Sequence, residues 1–278
     1  MTIWAKGAPL MALTLLLATM PALAQSRADL AMRCADYLKP DVSIAACSAM
    51  IQARGPGDGD LSEVYKNRAS AYRNRREPDK ALKDLDEAIR IKPDYADAYD
   101  ARGYIFFELR QNERAVQAYD QVIRLDPKNA GAFDIRSRAF SRLGQFERAM
   151  QDHDQAIKLS VFSKITADDQ ARRCWNRAGL GQLDAALRDC TEALRLERDN
   201  AAALDSRGLV NLKANRHTLA IADYDAALGV EPRRATALYG RGIARQRQGD
   251  AARGADDIEA AKAIQPDIAE EFARLGVR

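Results

Sequence analysis

Few side chains in this sequence have the capacity for chemistry: four cysteines (Cys34, Cys47, Cys174, Cys190) and two histidines (His153, His217). A redox-active dithiol usually takes the form Cys-x-x-Cys, and that spacing does not occur here. A tetrahedral zinc site needs four converging ligands, whereas the cysteines fall into two widely separated pairs with long internal spacing. Neither histidine has a spaced cysteine, serine or acid that would make a triad or a metal site. His153 therefore reads as a core residue that makes a hydrogen bond, and His217 as an exposed turn residue. The run Gly55-Pro56-Gly57-Asp58-Gly59-Asp60 looks superficially like a calcium loop, but Ser62 stands where the third acid should be, so it reads as a turn. No glycine-rich phosphate loop appears. The sequence thus offers no catalytic residue, metal site or cofactor site, and reads as a non-enzyme. The cysteines are left as candidates for disulfides, which persist in oxidising compartments.

The first residues suggest such a compartment. Lys6 gives a positive start, the apolar run PLMALTLLLATMPALA follows from Pro9 to Ala24, and Ala22 and Ala24 are the small residues a signal peptidase requires. Residues 1–24 are expected to be a cleaved signal peptide, with the mature chain starting at Gln25. The run is short for a membrane span of ~20 residues. No cysteine directly follows the cleavage site, where Gln25 stands, so a lipoprotein reading fails. The expected location is the periplasm of a Gram-negative bacterium, or outside the cell, with no stable membrane insertion after cleavage. Formal net charge is +3, falling to about +2 without Lys6. That near-balance argues against a nucleic-acid binder, which would need a basic stripe.

The elements that position these residues follow from a 34-residue period. Six repeats start at Ser62, Ala96, Ala130, Ala167, Ala201 and Ala235. Each holds two helix-length segments joined by a polar turn near positions 15 to 18. Position 8 reads Ala69, Gly103, Ser137, Cys174, Gly208 and Gly242, and position 20 reads Ala81, Ala115, Ala149, Ala186, Ala220 and Gly254. Antiparallel helices approach closely only where small side chains face each other. Larger residues such as Tyr99, Phe106, Tyr119, Phe133, Phe140 and Tyr224 fill the spaces between. Proline at position 32 (Pro93, Pro127, Pro232, Pro266) ends the second helix. A period of this length implies stacked hairpins that each contact only their neighbours.

These residues resemble the tetratricopeptide repeat family, and the repeat from Ala96 matches best, through Tyr99, Gly103, Phe106, Ala115, Tyr119 and Pro127. The resemblance implies an all-α fold, an alpha-alpha superhelix of antiparallel helix pairs, over residues 62–268 (repeats 62–95, 96–129, 130–163, 167–200, 201–234, 235–268). Residues 25–61 read as a degenerate N-terminal helix pair, and residues 269–278 as a capping helix whose Phe272 and Leu275 cover the last repeat. Three extra residues before Ala167, with Val161 in place of proline, mark a candidate kink or an extension of the preceding helix.

The repeat frame places Cys34 and Cys47 at positions 11 and 24 of the degenerate pair, and Cys174 and Cys190 at positions 8 and 24 of the fourth repeat. Both pairs lie opposite each other within one hairpin, so Cys34–Cys47 and Cys174–Cys190 are the expected bridges. Position 7 is arginine in all six repeats: Arg68, Arg102, Arg136, Arg173, Arg207 and Arg241. Acids at positions 23 (Asp84, Asp152, Asp189, Asp223, Asp257) and 25 (Asp86, Asp120, Asp154, Asp225, Glu259) are placed to meet them, either within or between repeats.

The family resemblance also implies a concave binding face built from the first helices. There, Tyr104, Phe107, Arg138, Trp175 and Tyr239 are the candidate partner-binding residues, in a wall of mixed charge that includes Asp97, Asp100, Asp205, Leu209, Leu212 and Arg142. The Lys/Asn set with which one subgroup of the family clamps a C-terminal carboxylate is not matched: Lys66 is present, but Ser70, Ala101 and Gly131 hold the other places. The expected function is an exported module or adaptor that binds a protein or peptide on this face. The alternative is a non-catalytic accessory or regulatory subunit of a cell-envelope enzyme. The sequence sets no oligomeric state.

Overall fold

The computed structural model describes residues 27–54, 60–160 and 165–277. The expected signal peptide and its cleavage site lie outside the described residues, as do residues 55–59 of the glycine-rich turn and residues 161–164 of the irregular segment. Every regular element among the described residues is helical, with no strand. The chain forms two compact units, 1–108 and 109–278.

The N-terminal unit contains α1 (27–35), α2 (Pro40–Gln52), α3 (Ser62–Asn74), α4 (Pro78–Ile91) and α5 (Ala96–Glu108). α2 packs on α3, α3 on α4, and α4 on α5. A Cys34–Cys47 disulfide, with Cα atoms 4.8 Å apart, joins α1 to α2. Ser43 Oγ donates to the Cys34 carbonyl at 2.6 Å beside it. The core of this unit is Ala69, Ala81, Leu85, Ala88, Ala98 and Ile105, with Tyr65, Tyr72 and Tyr95 partly covered at its edge.

The C-terminal unit contains α6 (Asn112–Leu125), α7 (Ala130–Arg142), α8 (Phe146–Leu159), α9 (Ala167–Gly179), α10 (Leu183–Leu196), α11 (Ala201–Lys213), α12 (His217–Val230), α13 (Ala235–Arg247), α14 (Ala251–Ile264) and α15 (Ile268–Arg274). Within the repeats, α7 pairs with α8, α9 with α10, α11 with α12 and α13 with α14. The first helices also meet one another, α9 on α11 and α11 on α13. Tyr224 is fully buried, its ring against Gly208 of its own repeat and Gly240 of the next. A Cβ at either glycine would collide with that ring. α8 ends at Leu159 with Ser160 as its C-cap, so it is not extended into the three extra residues. α9 restarts behind a capping box, in which Thr166 Oγ1 accepts from the Asp169 amide and Asp169 accepts from the Thr166 amide.

The turn inside each hairpin has a common backbone solution. Arg76, Arg110, Gly144, Gly181, Asn215 and Gly249 all have positive φ, between 56° and 94°, and all stand at position 15 of their repeats. In five of these turns the next residue's N–H reaches back five residues to close the helix end, as Gln145 does to the Phe140 carbonyl at 2.9 Å and Asp250 to the Arg245 carbonyl at 3.0 Å. This is the left-handed helix stop that glycine and asparagine favour. Arginine tolerates it at some cost in strain.

The Cys174–Cys190 disulfide joins α9 to α10, with Cα atoms 5.4 Å apart. Its closed loop spans 16 residues of separation. In the chain-entropy model a loop of this size contributes roughly 3 kcal/mol. Replacing both cysteines with serine should therefore lower the urea unfolding free energy of the oxidised protein by about 2–4 kcal/mol. An unchanged midpoint and slope would show that the fourth repeat does not depend on its bridge.

Candidate functional site

The arginine ladder forms in full, and the structure separates its two acids. Position 23 serves the arginine of its own hairpin. Arg68 Nε and Nη2 donate to Asp84 at 2.7 Å each, Arg136 donates to both oxygens of Asp152 at 2.7 and 2.8 Å, and Arg241 to both of Asp257 at 2.8 and 2.6 Å. Arg173 donates through Nη2 to one oxygen of Asp189, and Arg207 donates through Nε and Nη2 to one oxygen of Asp223. Position 25 instead serves the arginine of the following repeat: Asp86 takes Arg102, Asp120 takes Arg136, and Asp225 takes Arg241. Arg102 has Ala118 at position 23 of its repeat and keeps only the bond to Asp86. The position-23 aspartates are nearly buried, and in the last three repeats a second donor holds them: Arg177, Asn211 or Arg245. Arg68, Arg102 and Arg136 also lie over aromatic rings of their own first helix, 5.2 to 5.9 Å from the centroids. Pairing and side-on burial leave these guanidinium groups committed to the scaffold and not to a ligand.

In the N-terminal unit the first-helix face presents Tyr104. The ring is partly exposed, with the Arg73 guanidinium 5.1 Å from its centroid. Asp97 and Asp100 belong to the same helix. Burial pushes the Asp100 carboxyl above its usual range, Asp97 adds to this, and Arg73 opposes it. Phe107, expected on the same face, is 6% exposed, so its ring is buried in this structure.

In the C-terminal unit the first-helix face is covered by the chain's own α15. Phe272 is fully buried, packed 4.8 Å from the Tyr239 ring centroid and edge-on to Trp175 at 6.4 Å. Two of the five candidate anchors thus hold an internal helix. Ile268, Leu275 and Val277 join the same core as Leu209 and Leu212, two wall residues that are completely buried. The sequence reading placed α15 as a cap over the last repeat. It does touch α13 and α14, but it reaches further, onto α9 and onto the turn ahead of α6. Arg110 Nε donates to Asp267 at 3.1 Å and Arg110 Nη2 to Glu271 at 2.7 Å. Gln265 Nε2 also donates to Glu271, at 2.7 Å. Arg274 donates to the Arg142 carbonyl at 3.2 Å. Lys213 Nζ bridges two carbonyls, Leu275 of the tail at 2.6 Å and Ala178 of α9 at 2.5 Å. The physical reason lies in α11. Its wall positions carry leucine, so the helix is apolar or buried on nearly every side and needs cover on its first-helix face.

Asp205, also expected on the open wall, is 1% exposed and accepts from Arg234 Nε at 2.7 Å and Thr236 Oγ1 at 2.5 Å. Burial raises its carboxyl above the ordinary range against the pull of Arg234. Burial, with help from Arg110, pushes the Arg142 guanidinium down to about 10, a value that leaves it charged at neutral pH. Arg138 is exposed on α7. The structure brings Trp175 and Tyr239 together through Phe272, while Tyr104 and Phe107 belong to the other unit. Among the described residues no cluster of histidine, cysteine, aspartate or glutamate has the arrangement of a metal site.

His153 also differs from its reading. It is buried in α8, but neither ring nitrogen has a hydrogen-bond partner, and Asp169 Oδ1 stands 4.0 Å from Nε2. Burial lowers its pKa from the ordinary 6.5, and Arg172 lowers it further against Asp169.

Family models for the tetratricopeptide repeat match residues 62–95, 96–129, 175–229 and 207–267, together more than half of the chain. The chain belongs to the tetratricopeptide repeat family. Among solved structures, a tetratricopeptide repeat protein from Parabacteroides merdae aligns with TM-score 0.75 at 16% identity, over 91% of this chain and 99% of that one. PilW, described as a widely conserved type IV pilus biogenesis factor, aligns with TM-score 0.58 at 18% identity, over 79% of this chain and 100% of that one. Pseudomonas aeruginosa pilF aligns with TM-score 0.52 at 18% identity, over 76% and 96%. At these identities the likeness is one of fold. A comparison with curated proteins finds no significant match.

Two predictions follow from the ladder and the buried histidine. Arg136→Leu strands the nearly buried Asp152 and should cost about 1–3 kcal/mol in urea unfolding, whereas Arg102→Leu, whose partner Asp86 is 66% exposed, should cost less than ~1 kcal/mol. For His153, the unfolded chain binds a proton below about pH 6.5 that the folded chain resists, so stability falls as pH drops through that value and levels off below the lowered folded pKa. In His153→Leu this acid-side slope should disappear from the unfolding midpoints measured between about pH 7 and pH 5. An unchanged slope would place the effect elsewhere.

Proposed function

We propose that this protein is an exported, non-catalytic interaction module that binds a protein or peptide partner on the first-helix faces of its repeats. The observation that carries this reading is the seating of α15. A short amphipathic helix lies across four first-helix ends in the C-terminal unit, held by an aromatic cluster and by an ion pair. The face is therefore of a shape and chemistry that accepts a helical peptide, which is how amphipathic segments dock in apolar grooves. In the N-terminal unit, Tyr104 with Arg73, Asp97 and Asp100 makes a separate aromatic and mixed-charge patch. A partner of both signs fits it better than a uniformly charged one. Two features support export: the leader-like residues 1–24, and two disulfides that close within hairpins and suit an oxidising compartment. Among the described residues no helix is long and apolar enough to cross a membrane. Among the described residues the position-7 arginines are taken up by structural pairs, so this row is not an open basic stripe of the kind a nucleic-acid binder uses.

The test is site-specific photo-crosslinking in the source cells. A photoreactive residue at Tyr104 should give a discrete adduct that the same residue at Thr191, exposed on the second helix α10, does not give. The adduct should fractionate with the periplasm, on a chain beginning at Gln25. Adducts of equal yield at both positions, or a chain retaining residues 1–24 in the cytoplasm, would refute the reading.

A further inference from the structure

We infer that α15 is a displaceable occupant of the partner groove in the C-terminal unit, and that the groove's ligand is an acidic amphipathic helix with the same pattern. The inference rests on the reading of the first-helix faces as partner sites, and adds the ligand's chemistry and the control of access to it.

Three observations carry it. The first is the chemistry of the seat. Its floor is apolar and aromatic, with Trp175, Tyr239, Leu209 and Leu212 beneath Phe272, Ile268 and Leu275. Its rim is cationic: Arg110 meets Asp267 and Glu271, and the Arg142 guanidinium feels both acids as favourable charges. The helix that fills it presents apolar anchors at Ile268, Phe272 and Leu275, the i, i+4, i+7 spacing of one helix face, with an acid directly before each of the first two.

The second is the way α15 is attached. It has seven residues and follows the Gln265-Pro266-Asp267 turn out of α14. A helix that short does not hold its own shape in water, so it persists only while seated. Its polar ties to the seat are the ion pairs at its N-terminal end and a few bonds to backbone carbonyls near its C-terminal end. Release of this segment leaves every arginine–aspartate pair of the ladder in place, because none involves α15.

The third is its coverage of the candidate anchors. Trp175 and Tyr239, the aromatics that stand at first-helix wall positions, are the residues Phe272 packs on. A partner cannot reach them until α15 leaves. A tethered occupant acts at an effective concentration in the millimolar range, so apparent affinity for a partner is reduced by the fraction of chains that are open. The tail thereby sets a threshold and restricts entry to helices that reproduce its anchors and acids.

The experiment uses the full mature chain and a labelled synthetic peptide with the sequence of residues 265–277, QPDIAEEFARLGV. Trp175 is the one tryptophan after Trp4, so its fluorescence reports the seat directly. Phe272→Ala should shift Trp175 emission to the red and bind the peptide at least about tenfold more tightly than the unsubstituted chain. Peptide addition should reverse the shift. Arg110→Glu in the Phe272→Ala background should weaken the peptide, and a peptide with Asp267→Lys and Glu271→Lys should recover binding to it. Should Phe272→Ala unfold the protein, hydrogen exchange of the unsubstituted chain decides instead: α15 amides must open well before those of α13 and α14. Equal peptide affinity with and without the substitution, or α15 protection equal to that of α13, makes the tail a fixed part of the core and overturns the proposal. Concentration-dependent dimers in light scattering that exchange tails overturn it in favour of a second copy as the occupant. Adducts at Tyr104 report on the other unit, so failure of that experiment and failure of this one are separate outcomes.

Discussion

The structure depends on one repeated contact, the position-7 arginine with the aspartates of two second helices. A guanidinium has a planar fork of donors and can satisfy a carboxylate through two parallel bonds while turning a third donor to another acid. Arg136 and Arg241 do this, each holding one aspartate of its own hairpin and one of the hairpin before. The register of a hairpin and its stacking on its neighbour are thereby set by one side chain. Small residues at the helix–helix seams allow close approach but have little directional preference. The arginine supplies direction, at the cost of committing a charge that then has nothing left for a ligand.

Much of this was legible in the sequence, because a period carries its own evidence. Helix starts at Ser62, Ala96, Ala130, Ala167, Ala201 and Ala235 follow the frame even where the signature residues fail, as at Cys174 and Arg177. The left-handed turn at position 15 was also written there, in Gly144, Gly181, Asn215 and Gly249, but Arg76 and Arg110 hid it, since arginine rarely marks such a turn. The division of labour between positions 23 and 25 needed coordinates, because both acids lie near the arginine in a flat projection of the hairpin.

The tail was legible as a capping helix led by Phe272 and Leu275, but the extent of its docking was not. A seven-residue helix has no period, and its docking is decided by residues such as Arg110 and Trp175 that lie about a hundred positions or more upstream. The available signal was indirect. Leu209 and Leu212 put leucine at wall positions 9 and 12, where the first and third repeats carry Ser70, Arg73, Arg138 and Ser141, and in the structure Ile268, Phe272 and Leu275 share their core. Phe107 was assigned to the wall from an average repeat, and the period alone did not give its burial, 6% exposed in the structure. His153 is a local cost with no compensating bond, and the structure offers no account of why it is kept.

The arginine–aspartate pairs act as coupled interactions that set register, and not as incidental surface charges. A double-mutant cycle on Arg241 and Asp257, read by urea unfolding of Arg241→Leu, Asp257→Asn and the double variant, tests this most directly. With Asp257 only 8% exposed and bonded through both oxygens, the two losses should be non-additive by about 1–3 kcal/mol. Losses that add within ~0.5 kcal/mol would contradict it.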